Sequence, residues 1–188
     1  MENIVLIIKL SIIFLVFLIS LYFDLRYQRI PNLLCAVTLI TGFIVQFYFS
    51  SWSGLLTAFT GAGIAFLILF PAFCLRFLGA GDVKLMVAIG AFLDVKLLLW
   101  TLIYSLVAGA ITSICLAVYR LGWKAVKEVM LHYFRCLYLR QFIRPDNQGF
   151  LEMKIPYAPA FAIGWLWACS QNVAVLWLIS NLRYQLGV

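Results

Sequence analysis

Charge is scarce in this chain. Of 188 residues only 11% are Asp, Glu, Lys or Arg, seven are acidic and one is a histidine. Hydrophobic residues make up 65%, and mean hydropathy is +1.05. A soluble domain of this length exposes too many residues to water to hide so much apolar side chain, so lipid is the solvent for most of it. The lone His132 has no second histidine to share a metal and is assigned no chemistry. CxxC pairs are also missing. Cys35, Cys74, Cys115, Cys136 and Cys169 are scattered, which supports neither a zinc site nor a disulfide framework and leaves them as small apolar residues. No cofactor and no metal are expected. The net charge of +7 comes without an aromatic-interleaved basic module, so no nucleic-acid partner is implied.

Long apolar runs are present instead. They cover roughly 4–23, 33–49, 54–75, 83–93, 97–119 and 157–180, six candidate spans in one domain, 1–188. The first is too long for a secretory signal and has no small-x-small cleavage site after it, so it reads as a retained helix. The fourth is too short to cross a bilayer unless the others bury it. Gly61 and Gly63 in the third are the small residues that let helices approach closely. With the N-terminus outside, eleven of the fourteen basic residues fall on inner segments: Arg26, Arg29, Arg76, Lys84, Arg120, Lys124, Lys127, Arg135, Arg140, Arg144 and Lys154. The positive-inside rule therefore puts 24–32, 76–82 and 120–155 in the cytoplasm. In 120–155, Trp123, Val126, Met130, Phe134 and Leu137 recur at helical spacing among basic residues, the pattern of an amphipathic helix on the inner leaflet. The fold class is all-α: a polytopic membrane protein of about six helices with a cytoplasmic amphipathic segment.

Ionisable groups at membrane boundaries are costly and mark function by default. Asp24 closes the first span, Asp82 follows Gly79-Ala80-Gly81 and opens the fourth, and both fall on the inner face. Asp94 falls on the other. Singly, each has an ordinary reading, Asp82 as a helix N-cap and Asp24 as a loop charge beside Arg26. Together they can form a dyad. Two carboxyls held a few ångströms apart share one proton, so one can activate water while the other polarises a carbonyl. Gly79 and Gly81 would let a substrate backbone approach and permit a sharp turn. Pro31 would end the loop and open the next helix. A transporter with buried carboxylates and a non-catalytic subunit of a pilus or secretion machine are the competing classes. The first calls for charges near mid-span and repeated halves, neither of which is seen.

Three blocks resemble the prepilin (type IV leader) peptidases, GxGD-type intramembrane aspartyl proteases. They are Asp24-Leu25-Arg26 with Ile30-Pro31-Asn32, Gly79-Ala80-Gly81-Asp82-Val83-Lys84-Leu85, and Lys154-Ile155-Pro156-Tyr157-Ala158-Pro159-Ala160. The resemblance implies Asp24 and Asp82 as the catalytic pair, with Gly79, Gly81, Lys84, Pro31 and Asn32 as motif-supporting or substrate-binding residues. It further implies prepilin or pseudopilin substrates with a basic leader, cut on the cytoplasmic side of a bacterial inner membrane. Bifunctional members carry two CxxC pairs and methylate the new N-terminus. Their absence makes this chain similar to the short, peptidase-only members of tight-adherence (Flp) pilus systems, without N-methyltransferase activity.

Overall fold

The computed structural model describes residues 2–75, 78–139 and 157–186, and every described element is helical. The elements are α1 (Glu2–Tyr27), α2 (Asn32–Cys74), α3 (Ala80–Gly90), α4 (Val95–Leu139), α5 (Ala158–Gln171) and α6 (Val173–Leu186). Three of them, over Ile4–Tyr27, Asn32–Cys74 and Val95–Leu116, are long and apolar enough to cross a membrane.

α2 is not one rod. Its 43 residues would run about 65 Å if straight, twice the hydrocarbon thickness. Ser51 breaks it with φ 52 and ψ −136. Phe43 and Phe59 would stand about 24 Å apart on a straight helix, yet their ring centroids are 4.6 Å apart. The two arms, 32–50 and 52–74, therefore fold back on each other at the cluster of serines between the second and third apolar runs.

The 11-residue α3 occupies the centre. Val83, Leu85, Met86 and Ile89 are all buried, in one cluster with Ile13, Val16 and Phe17 of α1, Leu98 and Leu102 of α4, and Phe161 and Trp165 of α5. A helix this short survives in an apolar protein because other helices, rather than lipid, surround it. Its approach to α2 is set at one point. A Cβ added at Gly61 would collide with the carbonyl oxygen of Gly90, and one at Gly90 would come within 2.9 Å of Gly61 O. Gly63 has nothing within 4 Å, so of the two glycines expected to pack helices, only Gly61 does so.

One expectation needs correction. The run 157–180 is not a single helix. Asn172 leaves helical geometry (φ −83, ψ 120), and its Oδ1 accepts the Ala174 N–H at 3.0 Å, ending α5 and capping α6. The fourth run, α3, is 11 residues long and packed among the other helices, as its length requires. In the basic segment, α4 breaks at Gly122 (φ 81) and continues to Leu139. Residues 140–156 and Arg76 lie outside the described residues.

Candidate active site

The first span ends for a local reason. Pro31 disfavours helical backbone at Ile30, and Gln28 turns to φ 50 while its N–H donates to Asp24 O at 3.0 Å. That αL termination stops α1 one turn beyond Asp24. Asp24 is then only 7% exposed. Its side chain faces α5, where Oδ2 accepts the Ala158 N–H at 3.0 Å across 134 residues of sequence. Ala158 is the first residue of α5, and Pro159 follows it. Its N–H is one of those that a helix N-terminus leaves without an internal partner, and a carboxylate suits the positive end of the helix dipole. The Tyr157-Ala158-Pro159 block is thereby joined to the aspartate of the first block. Sequence reasoning found the block but missed this bond; a proline just inside a helix start was the available signal.

Asp82 is the third residue of α3, not its N-cap. Gly79 holds the cap position, and its N–H donates to Asp82 Oδ2 at 3.3 Å, half of a capping box. The carboxyl is half-buried. Burial first, and the charge of Asp24 second, push its pKa up to about 7 from the usual carboxylate range, against a smaller downward pull from the Gly79 N–H. Folding therefore brings the two aspartates within each other's field although they stand on different helices.

The glycines act differently from the sequence-based reading. Gly79 has φ −74, which any residue can adopt. A Cβ there would sit 2.9 Å from Asp82 Oδ2 and push the carboxylate aside. A Cβ at Gly81 would come within 3.3 Å of Ile30 Cβ. Both glycines thus make room for the protein's own groups: one for the aspartate, the other for the loop before α2.

Pro31 is the N-cap of α2, one residue ahead of the first-turn place expected of it, with φ −61 and ψ 131. Asn32 opens α2, and its Oδ1 accepts the Lys84 Nζ at 2.9 Å. This bond ties the Ile-Pro-Asn block to the Gly-Ala-Gly-Asp block. Pro31, Asn32, Gly79, Gly81, Asp82 and Lys84 therefore lie together, joined through Ile30, and Asp24, bonded to Ala158, is tied to them through its charge on Asp82. Asp94 is not among them; it lines a cavity with Lys9 near the opposite end of α1. Among the described residues, no three or more His, Cys, Asp or Glu side chains converge as a metal site would require.

The class that emerges is a helical membrane protein with two coupled carboxyls where its helix ends meet. The chain belongs to the type IV leader peptidase family, whose model matches residues 11–114, more than half of its length. Peptide-bond hydrolysis is the activity of that family, and the match takes in the first two motif blocks. The third block lies beyond it. No similar curated protein and no similar solved structure was found.

Proposed function

We propose that this protein is a prepilin peptidase that removes the basic leader of type IV prepilins or pseudopilins at the cytoplasmic face of the bacterial inner membrane, with Asp24 and Asp82 as its catalytic pair. The observation that carries the reading is the coupling of these two carboxyls. They come from separate helices, each holds a backbone N–H, and the charge of one raises the proton affinity of the other.

The chemistry follows from one proton held between two acids. Asp82, whose anion is disfavoured, carries the proton and donates it in a hydrogen bond to the scissile carbonyl oxygen. Asp24, left as the anion by that single shared proton and accepting the Ala158 N–H, takes a proton from water as that water's oxygen attacks the carbonyl carbon. The tetrahedral intermediate collapses by breaking the C–N bond. The proton taken up by Asp24 passes to the departing amine, and Asp82 recovers its own as the carboxyl product forms. The Lys84–Asn32 bond and the Ile30–Gly81 contact support this arrangement by holding α3 against the start of α2.

The test is co-expression with a candidate prepilin, followed by its size on a gel and its N-terminal sequence. Asp24→Asn and Asp82→Asn should each leave the leader attached while the variant still accumulates in the membrane. A non-catalytic assembly subunit would tolerate both changes. Normal processing by either variant would rule out the dyad.

A further inference from the structure

A second polar cluster stands near the end of α1 away from Asp24. Lys9 Nζ donates to Gln46 Oε1 at 2.7 Å, and Gln46 Nε2 donates to Phe92 O at 3.4 Å. Gln46 is 2% exposed. Beside this chain opens a cavity of about 500 Å³, its lining including Leu6, Lys9, Ile13, Phe49, Ser50 and Asp94. The wall is otherwise apolar and carries one cation and one anion. Asp94 is exposed and within electrostatic range of the Lys9 ammonium.

Depth narrows the ligand. Fifteen helical residues separate Lys9 from Asp24, about 22 Å along the axis. With Asp24 at one edge of a hydrocarbon layer about 30 Å thick, the Lys9 backbone falls about 8 Å short of the other edge. A lysine side chain bridges that gap by extending toward the headgroups. A free anion would meet Asp94, and a free cation would meet Lys9. A ligand that satisfies both carries both charges a few ångströms apart, on an apolar tail.

We propose that this cavity binds a phospholipid whose headgroup joins a phosphate to an ammonium bearing N–H groups. The phosphate accepts from Lys9, which gives only one of its three N–H donors to Gln46. The ammonium donates to Asp94, and the upper part of an acyl chain lies on Leu6, Ile13 and Phe49. The volume lies within the usual range for ligand pockets of about 300–1,000 Å³. It holds a headgroup and the start of a chain, with the rest of the tail in the bilayer. Binding here bridges α1, the bend of α2 and the turn before α4, at a distance from the aspartates.

Lipid retention by the purified full-length chain tests this. The protein is exchanged into detergent with phosphatidylethanolamine, phosphatidylcholine or phosphatidylglycerol, and bound lipid is counted by native mass spectrometry alongside the melting temperature. The unmodified protein should retain phosphatidylethanolamine at least about tenfold over the other two. Phosphatidylcholine lacks an N–H for Asp94, and phosphatidylglycerol lacks the cation. Lys9→Gln should lose that retention, and Asp94→Asn should lose the preference over phosphatidylglycerol. Leu6→Trp, which fills the cavity without changing a charge, should lower retention of every lipid. Equal retention of the three lipids by the unmodified protein would overturn the proposal, as would unchanged phosphatidylethanolamine occupancy in any variant. If Lys9→Gln does not accumulate folded, the other two variants decide alone. The readout is bound lipid rather than cleavage, so its failure leaves the reading of the dyad untouched.

Discussion

Asp82 keeps its proton up to a pH of about 7 because its anion would be buried and would face a second carboxylate, and two consequences can be measured. Leader cleavage should fall as pH rises above about 7, by about tenfold per pH unit as the shared proton is lost. A pH–rate profile of kcat/KM checks this, and a rate still rising at pH 9 would contradict it. The second consequence concerns stability. A carboxyl whose folded pKa is raised gains nothing at low pH and costs the folded state stability as the unfolded form ionises, through the window from about 4 to about 7. Asp82→Asn removes that cost. It should melt with the unmodified protein below pH 4 and above it at pH 8. Gly79 is tied to the same carboxyl. Gly79→Ala keeps an allowed backbone but sets a methyl against Asp82 Oδ2, so cleavage should drop on the order of 10²-fold, the scale of a 1 Å misplacement, with little change in melting temperature. The importance of Gly79 could be read from the sequence. Its reason could not, because a Gly-x-Gly-Asp string does not reveal that the glycine's missing Cβ faces the aspartate rather than a substrate.

Among the elements, α3 and its seam with α2 matter most. Gly61 and Gly63 look equivalent in sequence, each a small residue in an apolar run, yet only Gly61 meets a backbone oxygen, which cannot move aside as a flexible side chain would. Gly61→Ala should therefore destabilise by about 1–3 kcal/mol, the cost of overpacking, and Gly63→Ala should be neutral. Thermal melts of the two variants in one detergent separate them; equal losses would mean that the seam is not where it is described. The bend of α2 was legible, since Ser50-Ser51-Trp52-Ser53 interrupts two apolar runs. The division at Asn172 was not. Hydropathy averages over such a residue, whereas a side-chain oxygen capping the next helix is a local hydrogen bond that averaging does not register.

For the molecule as a whole, composition pointed to a helical membrane protein, and the basic residues set an expected orientation with the N-terminus outside. Three motif blocks pointed to one place, and the fold joins parts of all three: Asp24 to Ala158, Asn32 to Lys84, and Asp24 to Asp82 through their charges. Contacts of such long range have no periodic signature, which is why the Asp24–Ala158 bond was invisible in the sequence while its participants were not. Cleavage on the cytoplasmic face requires the N-terminus outside. Epitopes at the N-terminus and between residues 140 and 156 should accordingly be protected from protease on opposite sides of sealed vesicles, and protection on the same side would contradict this orientation.

The dyad itself is tested most directly by N-terminal sequencing of a candidate prepilin co-expressed with the unmodified protein, with Asp24→Asn or with Asp82→Asn, at matched membrane levels. The unmodified protein should yield a chain starting just before the hydrophobic helix, and each variant should leave the leader in place, with cleavage reduced on the order of 10²–10⁴-fold. Correct processing at the normal rate by either variant would contradict the account.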